Sequence, residues 1–276
     1  MNITTLLDKV YFAPRLKKID FYANRAGELQ HRVLDRLVRM AENTEWGKKY
    51  DYKSIHTYED FRNRLPIQTY EEVKPYVERL RAGEQNLLWP SEIRWFAKSS
   101  GTTNDKSKFL PVSKEALNDT HYQGGKDAVA LYLGQNPDSR FFSGQGLILG
   151  GSHSPNLNSR HGLVGDLSAI LIQNIHPLVN CVRVPSKKIA LMSDFEKKIE
   201  AIANSAVSKD VTSLSGVPSW MLVLIKRILE KTGKQSLEEI WPNLEVFFHG
   251  GVAFTPYREQ YKEVIRSPKM HYVETY

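Results

Sequence analysis

The stretch Trp95-Phe96-Ala97-Lys98-Ser99-Ser100-Gly101-Thr102-Thr103-Asn104-Asp105-Lys106-Ser107-Lys108-Phe109-Leu110-Pro111 gathers the groups an anion needs. Hydroxyls of Ser99, Ser100, Thr102 and Thr103 donate hydrogen bonds. Gly101 permits the positive-φ turn that lets backbone N–H groups converge on one point. Lys106 and Lys108 bring positive charge. Together they read as a loop that cradles a polyphosphate. Composition alone also allows a polar surface turn; the order apolar strand, hydroxyl-glycine loop, lysine, strand favours phosphate. The spacing is not that of a Walker A loop, which places Gly-Lys-Ser/Thr after a four-residue gap from its first glycine. Neither Gly125-Lys126 nor Gly233-Lys234 has that context.

A second candidate is Phe247-Phe248-His249-Gly250-Gly251-Val252-Ala253-Phe254, an apolar run that ends in two glycines. Without Cβ atoms, Gly250 and Gly251 allow a flat ligand close to the backbone, though a plain Gly-Gly turn into a following helix has the same sequence. Gly144-Gln145-Gly146 to Gly150 lacks the dinucleotide fingerprint, because its third glycine is one residue late and the run enters a strand. Gly150-Gly151-Ser152-His153 is not a nucleophile elbow, since no glycine closes it. His153 and His161 stand eight apart with no cysteine or HExxH pattern, so zinc is not indicated. Trp220 and Met221, at the start of an apolar helix, suit the lining of an apolar pocket or helical core equally. Asp166, in the loop Val164-Gly165-Asp166-Leu167-Ser168, suits either a substrate contact or a turn cap.

These residues need a frame. Residues 1–92 read as mostly helical: Leu29, Val33, Leu37 and Met40 recur at helical spacing, and Thr57-x-x-Asp60 and Thr69-x-x-Glu72 both mark helix starts, the second a capping box. From residue 93 to 276 the pattern alternates. Ile93–Ala97, Gly146–Leu149, Ala169–Ile172, Val211–Leu214, Leu244–Phe248 and Met270–Thr275 suit short buried strands. Helices are expected after Ser113, from Phe195 to Ala206, from Pro218 to the residue before Gly233, and from Thr255 to Arg266. That alternation predicts an α/β fold: a helical N-terminal region, then a mixed or parallel sheet with flanking helices.

Composition excludes several classes. Hydrophobic content of 41% and charged content of 25% are those of a globular domain, and no apolar run approaches a membrane span. No secretory leader is visible at Met1 to Asp8, and the one cysteine, Cys181, reads as a small buried filler; both suit a cytoplasmic protein. The formal charge of +7 favours an anionic partner. Basic residues are scattered without a run or stripe, so no nucleic acid is expected.

The order Ser-Ser-Gly-Thr-Thr, four residues, Lys resembles the ATP loop of adenylate-forming enzymes. Tyr50-Asp51-Tyr52, Thr57-Tyr58-Glu59-Asp60-Phe61-Arg62, Leu65-Pro66-Ile67, Tyr70-Glu71-Glu72, Pro75-Tyr76-Val77-Glu78-Arg79 and Gly83-Glu84 narrow the likeness. They resemble the Gretchen Hagen three family, auxin-responsive acyl-acid amido synthetases with bacterial relatives, from about Gln30 to the last residue. The resemblance implies part of the large N-terminal domain of an adenylate-forming enzyme, bacterial in type. It implies ATP and Mg²⁺ as cofactors, a small carboxylic acid and an amino acid as substrates, and an amide product through acyl-AMP. A thiol acceptor, or a non-catalytic nucleotide-binding role, remains open. By the same likeness Ser99, Ser100, Gly101, Thr102, Thr103 and Lys108 hold the phosphates, with Lys108 the catalytic lysine. Gly250, Gly251, Val252 and Tyr276 meet the nucleotide, and Trp220, Met221 and Asp166 meet the substrate. Two departures stand out. Asn104-Asp105-Lys106-Ser107 replaces a gap that often holds glycine, and Tyr276 ends the chain before the family's Ser/Thr-Glu pair. No residue is therefore assigned to the metal. The closing C-terminal domain is expected to be absent, leaving residues 93–276 an incomplete ATP-binding region with little activity of its own.

Overall fold

Short apolar runs joined by amphipathic helices close into sheets only when several runs pair, and here they form two. The computed structural model describes residues 3–99 and 108–275. The chain divides into two units, one from residues 17–124 and 154–167, the other from residues 1–16, 125–153 and 168–276.

The first unit carries helices α1 (Ala26–Ala41), α2 (Tyr58–Arg64) and α3 (Tyr70–Ala82). The apolar stripe of α1 buries Val38 and Ala41, while Glu28–Arg32 and Asp35–Arg39 pair along its wet side at i,i+4 spacing. Both expected helix starts are capping boxes. The Thr57 hydroxyl accepts from the Asp60 N–H (3.1 Å) and the Asp60 carboxylate from the Thr57 N–H (2.9 Å). Glu72 accepts from the Thr69 N–H at 2.6 Å. Thr57→Ala is expected to lower stability by about 1 kcal/mol. Thermal unfolding should show a fall of a few degrees; an unchanged midpoint would mean that the cap contributes nothing.

A three-stranded sheet in this unit has the order β2-β1-β4, with β1 (Trp95–Lys98), β2 (Phe109–Val112) and β4 (Leu163–Gly165). β1 runs antiparallel to β2, pairing Lys98 with Phe109, and parallel to β4, pairing Ala97 with Gly165. Val77, Leu80, Leu87, Ile93, Phe96 and Val164 form its core.

The second unit holds a five-stranded parallel sheet in the order β5-β3-β6-β7-β8. Its strands are β3 (Gln145–Leu149), β5 (Arg183–Val184), β6 (Val211–Gly216), β7 (Val246–His249) and β8 (His271–Glu274). Its helices are α4 (Gln123–Gln135), α5 (Leu167–Asn174), α6 (Phe195–Ala206), α7 (Pro218–Thr232) and α8 (Arg258–Val264). Counted within the sheet, the order is 2-1-3-4-5, the doubly wound arrangement. Its switch point lies between the C-terminal ends of β3 and β6, because the chain leaves β3 toward β5 on one side and returns to β6 on the other. β7 is buried on both faces: Phe247 joins the larger core with Trp241 and Tyr261, whereas Val246 and Phe248 join a second core with Phe12 and Tyr132.

Three expectations change. Ala169–Ile172 lies inside helix α5, not in a strand; an apolar run of that length has no period, and burial of Ala169, Ile170 and Ile172 satisfies either form. The segment ahead of Asp166 is itself strand β4, and a helix follows it. Cys181 is exposed, because it closes a one-turn helix at the surface instead of filling a core. Among the described residues no helix is long and apolar enough to cross a membrane.

Candidate functional site

The phosphate-type loop springs from the β1–β2 hairpin. At its mouth the Ser99 N–H donates to the Lys108 carbonyl (2.9 Å), and the Lys108 N–H donates to Ser99 Oγ (3.1 Å). The chain therefore leaves at Ser99 and returns at Lys108 across one reciprocal pair. Beside it stands Tyr70, the first residue of α3. Its hydroxyl accepts from the Phe109 N–H at 2.9 Å, and Lys108 Nζ lies 5.5 Å from its ring centroid. Arg81, on the same helix as Tyr70, stacks over the ring of Phe109, the first residue of β2, at 4.0 Å. The hairpin fixes two ends of the loop, and an aromatic platform holds the lysine by cation–π attraction. Ser100, Gly101, Thr102 and Thr103 lie outside the described residues, as do Lys106 and Tyr276.

The glycine pair lies in the other unit, at the C-terminal end of β7. A Cβ on Gly250 would overlap the Thr275 carbonyl, so only glycine lets the segment after β8 pass so close. Thr275 donates its N–H (2.6 Å) and its hydroxyl (3.1 Å) to the His249 carbonyl, which carries the β7–β8 pairing one step further. Gly251 has φ +81° and is exposed, and Val252 beside it is also exposed. His249 is buried, its ring stacked 4.3 Å from Phe254, and its Nδ1 has no hydrogen-bond partner among the described residues. Burial holds its pKa below the ordinary histidine value, with Arg258 acting the same way and Glu274 opposing.

The remaining assigned residues separate by exposure. Met221 is wholly buried in the larger core, and Trp220 is 50% exposed with its ring against Phe195 at 4.5 Å. Asp166 is exposed between β4 and α5. A groove of about 950 Å³ between α6 and α7, bordered by Phe195, Ile199, Val223 and Arg227, includes none of the residues assigned to a ligand. Two residues carry more of the site's geometry than sequence reading gave them. Tyr70 stood out only within the motif Tyr70-Glu71-Glu72 at a helix start, with nothing to tie it to the loop. Lys198 had a signal: it falls on the apolar stripe of α6 between Phe195 and Ile202, where a solvated lysine has no place.

Comparison with known proteins agrees with this architecture. The GH3 family N-terminal domain matches residues 15–270. Indole-3-acetic acid-amido synthetase GH3.2 of Arabidopsis thaliana is 30% identical over 103 residues, 37% of this chain and 19% of that protein. Jasmonoyl–L-amino acid synthetase JAR4 of Nicotiana attenuata is 26% identical over 106 residues, 38% and 18% of the two chains. Among solved structures, AtGH3.15 acyl acid amido synthetase in complex with 2,4-DB superposes with a TM-score of 0.72 at 17% identity, covering 90% of this chain and 52% of that one. The chain thus spans about half the length of that structure, whose fold it shares. With that domain matched over residues 15–270, nearly the whole of this chain, the chain belongs to the GH3 family.

Proposed function

We propose that the chain is the ATP-binding part of an acid–amine ligase. A carboxylate oxygen attacks the α-phosphorus of ATP and pyrophosphate leaves, giving acyl-AMP; the neutral amine of an amino acid then attacks the acyl carbon, AMP leaves and the nitrogen loses a proton. The observation that carries the reading is the β1–β2 hairpin mouth, which delivers a hydroxyl-rich loop and returns it at Lys108 beside Tyr70. Such a loop holds and neutralises the departing phosphates. The named activities of the relatives support an amide product. In this reading Gly250, Gly251, Val252 and Tyr276 also bind the nucleotide. Trp220, Met221 and Asp166 serve the acid. Residues 1–92 form a helical region and residues 93–276 the α/β region.

Mg²⁺ would enter on the phosphates of ATP, since it is commonly held by substrate phosphates with one or two carboxylates. Among the described residues no group of three or more His, Cys, Asp or Glu could hold a metal. A cytoplasmic location is part of the same proposal.

Exchange of labelled pyrophosphate into ATP by the full-length protein tests the first step. Exchange that depends on an added carboxylic acid is expected. A broad panel of aromatic and aliphatic acids giving none would remove the ligase reading and leave a nucleotide-binding role.

A further inference from the structure

Lys198 is 1% exposed, yet its Nζ donates to the Gly150 carbonyl (2.7 Å), the Gly151 carbonyl (2.8 Å) and Ser152 Oγ (3.3 Å). A buried ammonium is tolerated only where hydrogen bonds replace its water. Here those bonds converge on three consecutive residues of one loop. The loop is held from other sides too. The Gly151 N–H donates to Ser168 Oγ at 2.8 Å, and Ser152 Oγ donates to the Met192 carbonyl at 2.6 Å. A Cβ at Gly150 would come within 2.9 Å of Ile172 and 3.2 Å of Ser168, so the backbone lies tight on α5. In a trans peptide the N–H stands opposite its C=O, so fixing the Gly151 carbonyl also fixes the direction of the Ser152 N–H.

The place of this loop gives the arrangement its meaning. Gly150–Ser152 leaves the C-terminal end of β3, and Val217–Pro218 leaves the C-terminal end of β6. Between those two ends lies the switch point of the sheet, where open parallel sheets bind their ligands. Gly150, Gly151 and Ser152 are only partly buried, so the loop keeps a face toward solvent. Trp220 and Met221 stand on the first turn of α7, on the other side of the same switch point. The three acceptors that Lys198 meets all lie in the loop that leaves the C-terminal end of β3, beside the switch point.

We propose that Lys198 is a positioning residue. From within the core it holds the Gly150–Gly151–Ser152 loop as one wall of the switch-point crevice, against which the carboxylic acid substrate lies. The inference rests on the ligase reading and adds a residue that acts through the loop, not by touching substrate.

The test uses the full-length protein with Lys198→Met, which keeps the stem and removes the donors. Amide hydrogen exchange at residues 150–153 should quicken about tenfold or more, because hydrogen bonds to a charged donor are lost, while β6 and β7 stay protected. In pyrophosphate exchange the KM for the acid should rise about tenfold, with kcat and the KM for ATP within about threefold of the unaltered protein. Lys198→Arg, which retains donors, should recover part of the loss. Should Lys198→Met fail to fold, Ser168→Ala removes the acceptor of the Gly151 N–H and should move the same two readouts in the same direction. Unchanged amide exchange at 150–153 in the variants would overturn the positioning claim even in a working ligase. A loosened loop with unchanged KM would overturn its role as the acid's wall. Absence of carboxylate-dependent exchange in the unaltered protein would overturn the ligase reading and the acid's place in this one, while the amide readout would still report whether Lys198 holds the loop.

Discussion

Lys108→Ala should lower adenylation kcat/KM by about two to three orders of magnitude while leaving the fold intact, the scale expected when one preorganised donor to a developing charge is removed. The separation of the two effects follows from the hairpin mouth. Both hydrogen bonds that close the loop use backbone atoms of residue 108, its N–H to Ser99 Oγ and its carbonyl from the Ser99 N–H. Alanine keeps both. What disappears is the ammonium and its contact with the Tyr70 ring at 5.5 Å, worth about 0.5–1 kcal/mol at a partly exposed site. The melting temperature should therefore fall by only a few degrees. ATP affinity, read by calorimetry, and pyrophosphate exchange should both drop. Lys106→Ala serves as the comparison: it removes the same charge from the loop's interior sequence, and a much smaller loss is expected. Equal losses from both variants would mean that the loop supplies diffuse charge and that the register placing Lys108 on the phosphates is wrong.

The hairpin was legible because its signals are local. An apolar strand, a block of hydroxyls and a second strand stand in sequence order, and β1 pairs with β2 directly across the loop. Helices with caps were legible for the same reason. Thr57 and Thr69 open α2 and α3 as capping boxes, and Gly233 in the left-handed region closes α7. What sequence could not give is non-local. The sheet order depends on which strands meet after long crossovers, so the switch point between β3 and β6 had no signature along the chain. Fully buried β7 shows no alternation that would announce its two faces. Helix α5 reads as a strand for a related reason, since a short run buried all round carries no period. Tyr70 could not be placed at the loop because its partner Phe109 lies 39 residues away.

Gly250→Ala should be the most damaging single methyl group at the candidate site, destabilising the protein by about 3 kcal/mol or more. The new Cβ would overlap the Thr275 carbonyl oxygen, which is backbone and cannot rotate aside as a side chain would. Relief requires parting the ends of β7 and β8, which breaks the two bonds from Thr275 to the His249 carbonyl at 2.6 and 3.1 Å. Each such bond contributes about 1 kcal/mol, so strain and lost pairing add in the same direction. For a chain of this size the melting temperature should fall by roughly 6–12 °C. Gly251→Ala separates conformation from crowding. At φ +81° an alanine is strained by about 1–2 kcal/mol, but among the described residues its Cβ meets only Val217 Cγ2 at 3.3 Å, a side chain that can give. The order of damage should thus be Gly250→Ala well beyond Gly251→Ala in urea or thermal unfolding. A reversed order would show that β8 does not crowd Gly250. Gly251→Ala should also weaken ATP binding more than its small stability loss explains, because Gly251 is the exposed member of the pair and the proposed nucleotide wall needs its bare face.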